Sequence, residues 1–289
     1  GDGLRMSAVL DAYGGGWTAR LRAGVALQGG RSVLAAIDHR GPLRLQKTLW
    51  PEGPEVAHLI LLHPPGGIAG GDELEIDVAV GTGAHALVTS PGAGRWYRAD
   101  APAVQHVRLT VGPEAVLEWL PQETIVHDGA QAAARCDVAV DETGAALGMD
   151  ITVLGRQASG ERFLHGELEQ RLRIVRAGTL LLDERARIRG DAHAGYAQAA
   201  ALAGRHVSGL LWAVGRAPFD DDLAERVEGA MGGEGADLFG ASRVEPHLLL
   251  ARVVDSVPQR ARRALLAAWA LLRPVLAGRA AHRPRIWAT

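Results

Sequence analysis

The sequence predicts a mainly β protein, with many short strands in stacked sheets that are β-helix-like or sandwich-like, and with two C-terminal helices. Three observations predict this class. Glycine accounts for 37 of the 289 residues, roughly 13% against a usual ~7%, which indicates many tight turns. Apolar and polar residues alternate with a period of two in segments up to about residue 215. Apolar residues then recur at helical spacing in two segments of the last third.

The N-terminal elements divide into a short segment without pattern and a long β-rich region. Residues 1–16 are Gly-rich and weakly patterned, so we expect a flexible N-terminal segment. The β-rich region covers residues 17–215, and its clearest strand is residues 73–80, where apolar positions alternate with three acidic residues and Ala79. A Gly-Thr-Gly turn follows, and residues 84–89 are predicted to form a returning strand.

The same alternation of strand and turn continues toward the helical region. Strand patterns that meet Gly-containing turns recur within residues 107–112, 136–144 and 171–184. The turns come at intervals of roughly 30 residues, which is enough for about two strands per interval. No sequence self-similarity accompanies the spacing, so a true repeat is not predicted. Residues 17–289 are therefore expected to form a single domain.

Two helices are predicted, at about 220–232 and 258–277. Three aspartates at 220–222 are placed to cap the first helix, and its apolar residues recur at i, i+4 spacing. Pro258 opens the second helix, and Pro274 should kink it or end its regular part. The apolar stripe of the second helix, which we assign to the core, consists of Leu265, Trp269, Leu272 and Leu276. Residues 284–289 are predicted to be extended.

Composition excludes several classes of function. The chain has 31 basic and 33 acidic residues and a formal net charge of −2, which argues against a nucleic-acid or anionic-membrane binder. The single cysteine, Cys136, permits no internal disulfide and no Cys-based zinc or iron–sulfur site. No stretch approaches 18 uninterrupted apolar residues, and the N-terminus shows no signal pattern. We therefore expect a cytoplasmic protein with no membrane span.

The sequence contains near-matches to nucleotide-binding motifs, but each lacks a required feature, and common catalytic motifs are absent. Residues 41–48 nearly form a phosphate loop, but Gln46 stands where the loop needs glycine. Residues 81–86 approximate a dinucleotide fingerprint, but a strand pattern follows where a helix must start. Neither a G-x-S-x-G elbow nor an H-E-x-x-H pair is present, and no catalytic residue is assigned. Scattered carboxylates still leave a β-rich polysaccharide-active enzyme open.

Residues 58–72 form the most unusual segment of the chain. An apolar strand runs into Pro64-Pro65, two Gly-Gly pairs and then an acid, Asp72. One interpretation is a tight crossover in a crowded β-core, with Asp72 accepting backbone amides. The other gives His63 and Asp72 a metal role, since imidazole and carboxylate are suitable ligands.

Residues 89–98 and the arginines after residue 182 are candidate contact surfaces. Arg95, Trp96, Tyr97 and Arg98 end a Gly-rich loop, and such residues favour interfaces or phosphate binding. On a later strand an alternating set shares one face, which is either solvated or meets an acidic partner. That set is Asp183, Arg185, Arg187 and Arg189.

These segments together resemble the UreD (UreH) family of urease accessory proteins. The most specific blocks are His-Pro-Pro-Gly-Gly at 63–67, followed by Gly-Gly-Asp at 70–72, and Leu-Glu-Trp-Leu-Pro-Gln-Glu at 117–123. Further matching stretches lie, in the family's order, at residues 39–47, 50–52, 89–93, 124–125, 154–156 and 284–287. The family commonly has Cys, Lys and an aromatic residue where this chain has Ala57, Arg95 and His127.

The resemblance implies a non-catalytic chaperone that helps nickel reach the active site of urease. It implies a complex with a UreF-type helical protein, a UreG-type GTPase and apo-urease, with no tightly bound cofactor and only transient nickel(II). It also implies a mostly antiparallel and mixed β fold with two helices. A passive urease-binding scaffold that never touches nickel is the alternative within the same family.

Two sets of site residues follow as expectations. A resting nickel site needs four to six converging donors, whereas the candidate donors here are dispersed, at or near strand ends, so they indicate a transient path. The path residues are His63, Asp72, Glu123, Asp150, Asp183 and Glu184. The partner-binding residues are Arg95, Trp96, Tyr97 and Arg98, and in the tail Arg285, Ile286 and Trp287.

Overall fold

The computed structural model describes residues 16–191, 196–198 and 202–288. These residues form 18 strands, two α-helices and two short 3₁₀ turns. Residues 1–15 of the predicted flexible segment lie outside the described residues. The strands belong to two large sheets, and the predicted mainly β class with stacked sheets is confirmed.

The first sheet has eight strands. Its members, in chain order, are β1 (Thr18–Gln28), β2 (Arg31–Arg40), β5 (Glu73–Val80), β8 (Ala103–Val111), β11 (Gln131–Val140), β13 (Glu167–Arg176), β14 (Thr179–Asp191) and β15 (Tyr196–Gln198). Their spatial order is β15-β14-β13-β11-β8-β5-β1-β2.

The second sheet has ten strands, eight of which form its main path. These eight are β3 (Arg44–Leu45), β4 (Val56–Leu62), β6 (His85–Thr89), β9 (Val116–Leu120), β12 (Ala145–Leu154), β16 (Val207–Val214), β17 (Leu238–Glu245) and β18 (Leu248–Asp255). Their spatial order is β17-β18-β16-β12-β9-β6-β4-β3. Two short strands, β7 (Gly94–Trp96) and β10 (Thr124–Val126), attach beside β12.

Successive strands from β4 to β13 alternate between the two sheets, apart from the short pair β7 and β10. Each turn of the chain adds one strand to each sheet, so that Ile76, Val107, Cys136 and Leu172 become register neighbours across four strands of the first sheet. This stack confirms the prediction of about two strands for each interval of roughly 30 residues.

The predicted returning strand at 84–89 is wrong in its pairing. β5 and β6 belong to different sheets, and β6 pairs in parallel with β4. The turn between them bonds to neighbouring turns of the stack: Gly81 N donates to Val25 O at 2.8 Å and Gly83 N to Pro113 O at 2.9 Å. These amides therefore bind carbonyl groups of neighbouring turns and do not close a hairpin, and the chain crosses to the other sheet.

The pairing also corrects the expected predominance of antiparallel strands. The central strands β1, β5, β8, β11 and β13 pair in parallel, as do β4, β6, β9 and β12. Antiparallel pairs lie at the ends of both sheets, among them β13 with β14 and β16 with β18. Parallel pairing follows from a chain that always returns to the same sheet in the same direction.

The core lies between the two sheets and beneath the helices. The apolar positions of β5 are at most 3% exposed, which confirms the alternation seen in the sequence. Helix α1 (Leu223–Gly232) and helix α2 (Pro258–Ala277) form a second core against β12, β16 and β18. The apolar stripe of α2 is buried, as predicted: Leu265, Trp269 and Leu272 are 0% exposed and Leu276 is 5% exposed.

Details of the helical part differ from the sequence prediction. Asp222, the residue at the N-cap of α1, forms no side-chain cap hydrogen bond. Pro274 does not end the regular part of α2, because the helix continues to Ala277 and closes at Gly278, whose φ is 64°. The tail is not extended: Arg285–Ala288 forms a 3₁₀ turn against the core. Within the described part, neither helix is long and apolar enough to cross a membrane.

Candidate functional site

A cavity of about 770 Å³ lies between the two sheets and runs across the strands. Its walls are largely apolar, with side chains such as Ile76, Trp119 and Leu210. Polar and ionisable side chains interrupt this wall, among them His63, Cys136, Asp150, Thr152, Gln170, Glu184 and Arg252. Exposed residues border the cavity in two places, near Gly92–Arg95 and near Arg185–Arg187. We define the first place as the loop end and the second as the strand end.

The strand register explains why the polar side chains face one another. Cys136, Leu172 and Glu184 are direct neighbours across β11, β13 and β14, so they form one row on the first sheet. Asp150, Leu210 and Arg252 form the matching row across β12, β16 and β18 of the second sheet. Paired residues project from the same face of a sheet, so both rows point into the cavity.

Two contacts join the sheets across this part of the cavity. Arg252 binds Glu184 through both of its terminal nitrogens, with Nη1 2.9 Å from Oε1. Gln170 Nε2 donates to Thr152 Oγ1 at 3.1 Å. In an ordinary β-sandwich, apolar side chains fill the space between the sheets. Here hydrogen-bonding side chains surround an open cavity.

Asp150 is a carboxylate that strand β12 contributes to the cavity wall. It is the only exposed side chain of β12, whose other nine residues are buried, and its exposed surface faces the cavity. Enclosure by protein raises the pKa of the Asp150 carboxyl, although Thr152 Oγ1 lies 3.1 Å from it and opposes the rise. Burial, together with the charge of Asp150, also raises the pKa of the Cys136 thiol on the facing row.

His63 lines the loop end of the cavity. Burial lowers the pKa of the His63 imidazole, and the nearby charge of Asp72 only partly offsets this. The imidazole is therefore neutral at neutral pH and able to donate a lone pair. Asp72 itself does not line the cavity. Its oxygens accept backbone amides from Trp17 at 2.9 Å and Ala69 at 2.8 Å, which is the structural role considered in the sequence analysis.

The glycines after His63 permit close contact between two loops at the loop end. A Cβ on Gly67 would lie 2.5 Å from the ring of Tyr97, and one on Gly70 would lie 2.6 Å from the Cβ of Ala99. Tyr97 also makes an edge contact with His127, with ring centroids 5.1 Å apart. The glycine-rich segment therefore fits against residues 97–99 and shapes this side of the cavity.

The structure separates the predicted path residues into two groups. His63, Asp150 and Glu184 line the cavity, whereas Asp72, Glu123 and Asp183 do not. Glu123 lies before β10 and pairs with Arg262 at 3.4 Å, and Asp183 faces outward to Arg171 at 2.7 Å. Asp183 and Glu184 do not end a strand but lie inside β14, and Asp150 lies inside β12, because both strands are longer than their patterns indicated.

The predicted contact residues around Arg95 lie near the loop end. Arg95 and Arg98 are exposed, and Tyr97 is half-buried. Trp96 is only 4% exposed and belongs to the core, so its side chain is not accessible to a partner in this conformation. The role of this segment in partner binding stays a prediction that rests on the two arginines.

The predicted contact residues of the tail are placed against the protein itself. Trp287 packs on Trp269 with ring centroids 5.7 Å apart, and its Nε1–H donates to Thr89 Oγ1 at 2.8 Å. Arg262 lies over the Trp287 ring at 4.9 Å. Ile286 is half-buried and Arg285 is exposed. A tail–partner contact therefore stays a prediction in which Arg285 is the accessible group.

Sequence reasoning missed two arrangements. The first is a buried ionic cluster in which Arg273, 1% exposed on its side chain, binds both Glu52 and Glu118. His58 lies 2.6 Å from Glu52 and His85 lies 2.7 Å from Glu118. The position of Glu118 among large apolar residues was the available signal. The second is Arg252, whose signal is a single charge inside the apolar strand β18.

The potential metal ligands that line the cavity are isolated from one another. Within the described residues, no three His, Cys, Asp or Glu side chains converge into a group that could hold a metal ion. The acidic side chains that line the cavity in this part of the chain are Asp150 and Glu184, and Glu184 is already paired. The arrangement suits weak successive contacts better than tight coordination.

Comparison with known proteins gives the family. The profile of the UreD urease accessory protein family matches residues 18–288. The urease accessory protein UreD of Azoarcus sp. (strain BH72) is 44% identical over 292 residues, covering 98% of this chain and 100% of that protein. That of Delftia acidovorans is 41% identical, with coverage of 98% and 100%. UreD 2 of Pseudomonas syringae pv. tomato is 46% identical, with coverage of 87% and 88%. The chain therefore belongs to the UreD family of urease accessory proteins.

Proposed function

We propose that this protein serves urease maturation as a non-catalytic chaperone, and that nickel(II) passes through the cavity between its sheets on the way to apo-urease. The observation that carries the proposal is the cavity itself, because it brings His63, Asp150 and Glu184 onto one continuous space. Family membership supports the accessory role, and the isolated donors support transit of the metal as cargo.

The chemistry of the wall favours transfer over storage. The neutral imidazole of His63 is a suitable first ligand at the loop end. Asp150 is a second donor on the cavity wall, and the approach of a dication favours its ionised form despite the raised pKa. A hydrated metal ion that meets one donor at a time is held weakly enough to leave.

The proposal includes a division of work between proteins. Residues 41–48 do not form a phosphate loop, because Gln46 replaces a required glycine and Pro42 lacks a backbone amide donor. GTP hydrolysis is therefore assigned to a UreG-type partner. A UreF-type protein and apo-urease complete the complex, which we place in the cytoplasm. The exposed Arg95, Arg98 and Arg285 are the proposed contacts. Nucleic acid and membrane have no part in it.

Two other functions predict different behaviour. A polysaccharide-active enzyme needs two working carboxyl groups, whereas of the two cavity carboxylates described here Glu184 is occupied by Arg252. A passive scaffold needs no cavity donors at all, so removing Asp150 would leave nickel delivery unchanged.

The test removes the charge of Asp150 without changing its shape. Asp150→Asn is co-expressed with urease and the other accessory proteins, and complex yield and nickel per purified urease are measured. Asp100→Asn, at an exposed position outside the cavity wall, is the matched control. We expect a normal complex with lower nickel content for Asp150→Asn only. Normal complex and normal nickel would support the passive scaffold, and loss of the complex would make Asp150 structural.

A further inference from the structure

An ion pair between the two sheets spans the strand end of the cavity. Glu184 comes from β14 of the first sheet and Arg252 from β18 of the second, and both line the cavity. Arg252 Nη1 lies 2.9 Å from Glu184 Oε1, and the second guanidinium nitrogen binds Oε2. Each is the last member of its cavity-facing row, beyond Leu172 and Leu210 respectively.

The pleat of β14 makes Glu184 unusual on its strand. Asp183, Arg185 and Arg187 point to the outer face, where Asp183 pairs with Arg171 and Arg187 pairs with Glu167. The side chains that alternate with them, Leu182, Glu184, Ala186 and Ile188, face the second sheet. Glu184 is therefore the ionisable side chain that this strand directs inward, and Arg252 is the group that meets it.

The pair is partly open to solvent, which makes it reversible. The side chain of Glu184 is 33% exposed and that of Arg252 is 49% exposed. Ion pairs with this exposure contribute about 1 kcal/mol or less. A carboxylate on a docked protein can therefore compete with Glu184 for the guanidinium of Arg252.

Breaking the pair changes the cavity in two ways at once. The bridge between β14 and β18 is lost, so the strand end becomes wider. The charge of Glu184 is no longer balanced, so the cavity gains a second carboxylate besides Asp150. Release of the pair therefore adds one free carboxylate at a strand end that Arg185 and Arg187 also line, and this shifts the local charge in favour of cations.

We propose that Arg252 controls access to the cavity, with its ion pair to Glu184 closing the strand end and release of that pair opening it to cations. The role of this gate in metal transfer rests on the proposed function above. Control of access to the cavity is independent of that function, because access can be measured on this protein alone and without nickel.

Cys136 provides the probe, because it is the only cysteine of the chain and lines the cavity in the row that ends at Glu184. Its reaction rates with a small cationic and a small anionic methanethiosulfonate reagent are measured in the full-length protein. The ratio of the two rates is compared between variants, because it does not depend on the thiolate fraction of a thiol whose pKa is raised by burial. We compare the wild type with Arg252→Ala, Glu184→Gln and the charge-swapped double variant Glu184→Arg/Arg252→Glu. Arg226→Ala, which removes an exposed ion pair on α1, is the control.

We expect Arg252→Ala to accelerate modification by the cationic reagent roughly two- to fivefold, the factor that corresponds to a pair worth up to about 1 kcal/mol. The anionic reagent should gain less. Glu184→Gln should accelerate the anionic reagent more than the cationic one, because it opens the end and leaves the charge of Arg252 without its partner. The double variant and Arg226→Ala should react at the wild-type rate.

Unchanged rates in both single variants, with a circular dichroism spectrum like that of the wild type, would overturn the proposal. Equal acceleration by Arg226→Ala would also overturn it, because it would show general loosening. These outcomes are independent of nickel delivery. The gate hypothesis can therefore be wrong while the Asp150→Asn experiment supports a nickel path, and the gate can be correct while that experiment does not.

Discussion

Arg273 and Glu118 lie side by side in the core, although 155 positions separate them: Nε of Arg273 is 3.0 Å from Oε1 of Glu118. The same guanidinium binds Glu52 through Nη1 at 2.6 Å. Trp269 Nε1 donates to the other oxygen of Glu118 at 2.7 Å. Two residues of α2 thus attach the helix to β9 and to the segment before β4, on the sheet that carries Asp150 and Arg252.

Replacing Arg273 by Met should destabilise the fold strongly. The change leaves two carboxylates in the core without their cation, and breaking a buried pair costs about 3–5 kcal/mol. Urea unfolding followed by circular dichroism measures the loss. Arg226→Met, at an exposed pair on α1, should cost below about 1 kcal/mol. Equal losses in the two variants would show that the cluster contributes no more than a surface pair.

Stability should fall in acid partly through Glu52. Burial acts to raise the pKa of Glu52, but hydrogen bonds from His58 and Arg273 outweigh it and lower that pKa from 4.5 to about 2. A lowered folded-state pKa gives stability that is complete above the unfolded value and is lost as pH falls toward the folded one. The free energy of unfolding should therefore decline between about pH 5 and pH 2.

The Glu52 contribution can be isolated by comparing pH profiles. Glu52→Gln should be less stable at pH 7, and its free energy of unfolding should change less steeply below pH 5 than that of the wild type. Parallel profiles for the two proteins would assign the acid sensitivity to other carboxylates, such as Glu118 or Asp255, whose pKa values are also lowered.

Gly67→Ala should disturb the loop end of the cavity. Its Cβ would lie 2.5 Å from the Tyr97 ring, and such overpacking costs about 1–3 kcal/mol. Gly92→Ala is the control, because its Cβ would meet nothing within 4 Å. Thermal unfolding should show a lower midpoint for Gly67→Ala alone, and Tyr97→Ala should restore part of it. Equal midpoints for the two glycine variants would remove the steric explanation.

Two tail residues should have different roles: Trp287 should stabilise the fold, and Arg285 should contact a partner. Trp287→Ala should reduce stability by about 3 kcal/mol, at the lower end for loss of a buried aromatic ring, because Trp287 is only half-buried. Arg285→Ala, at an exposed position, should leave stability unchanged and weaken capture of a UreF-type partner in a pull-down. Full capture by Arg285→Ala would remove the tail from the interface.

Local patterns predicted the strands and helices, since alternation and i, i+4 spacing are properties of neighbouring residues. The interval of about 30 residues predicted the stack, because it equals one strand in each sheet. The direction of pairing was not predictable from the Gly81–Gly83 turn alone. Its amides bond to Val25 and Pro113, which are distant in sequence.

The site was predictable one residue at a time but not as a whole. Asp150 is a lone charge in an apolar strand, and the sequence analysis selected it. Its relation to Cys136, Glu184 and Arg252 depends on the register of five further strands, which no local pattern specifies. The roles of Asp72 and Glu123 are likewise decided by backbone amides and by Arg262, which only the folded chain brings near.

The most direct test of passage through the cavity blocks it in place. Cys136 is modified with maleimides of increasing size before assembly with urease and the accessory proteins, and nickel per urease is measured at equal complex yield. Cys136→Ser, treated in the same way, is the control. If nickel passes through the cavity, the nickel content of urease falls as the reagent grows and stays normal in the control. Full nickel content with Cys136 completely modified by the largest reagent would contradict passage through the cavity.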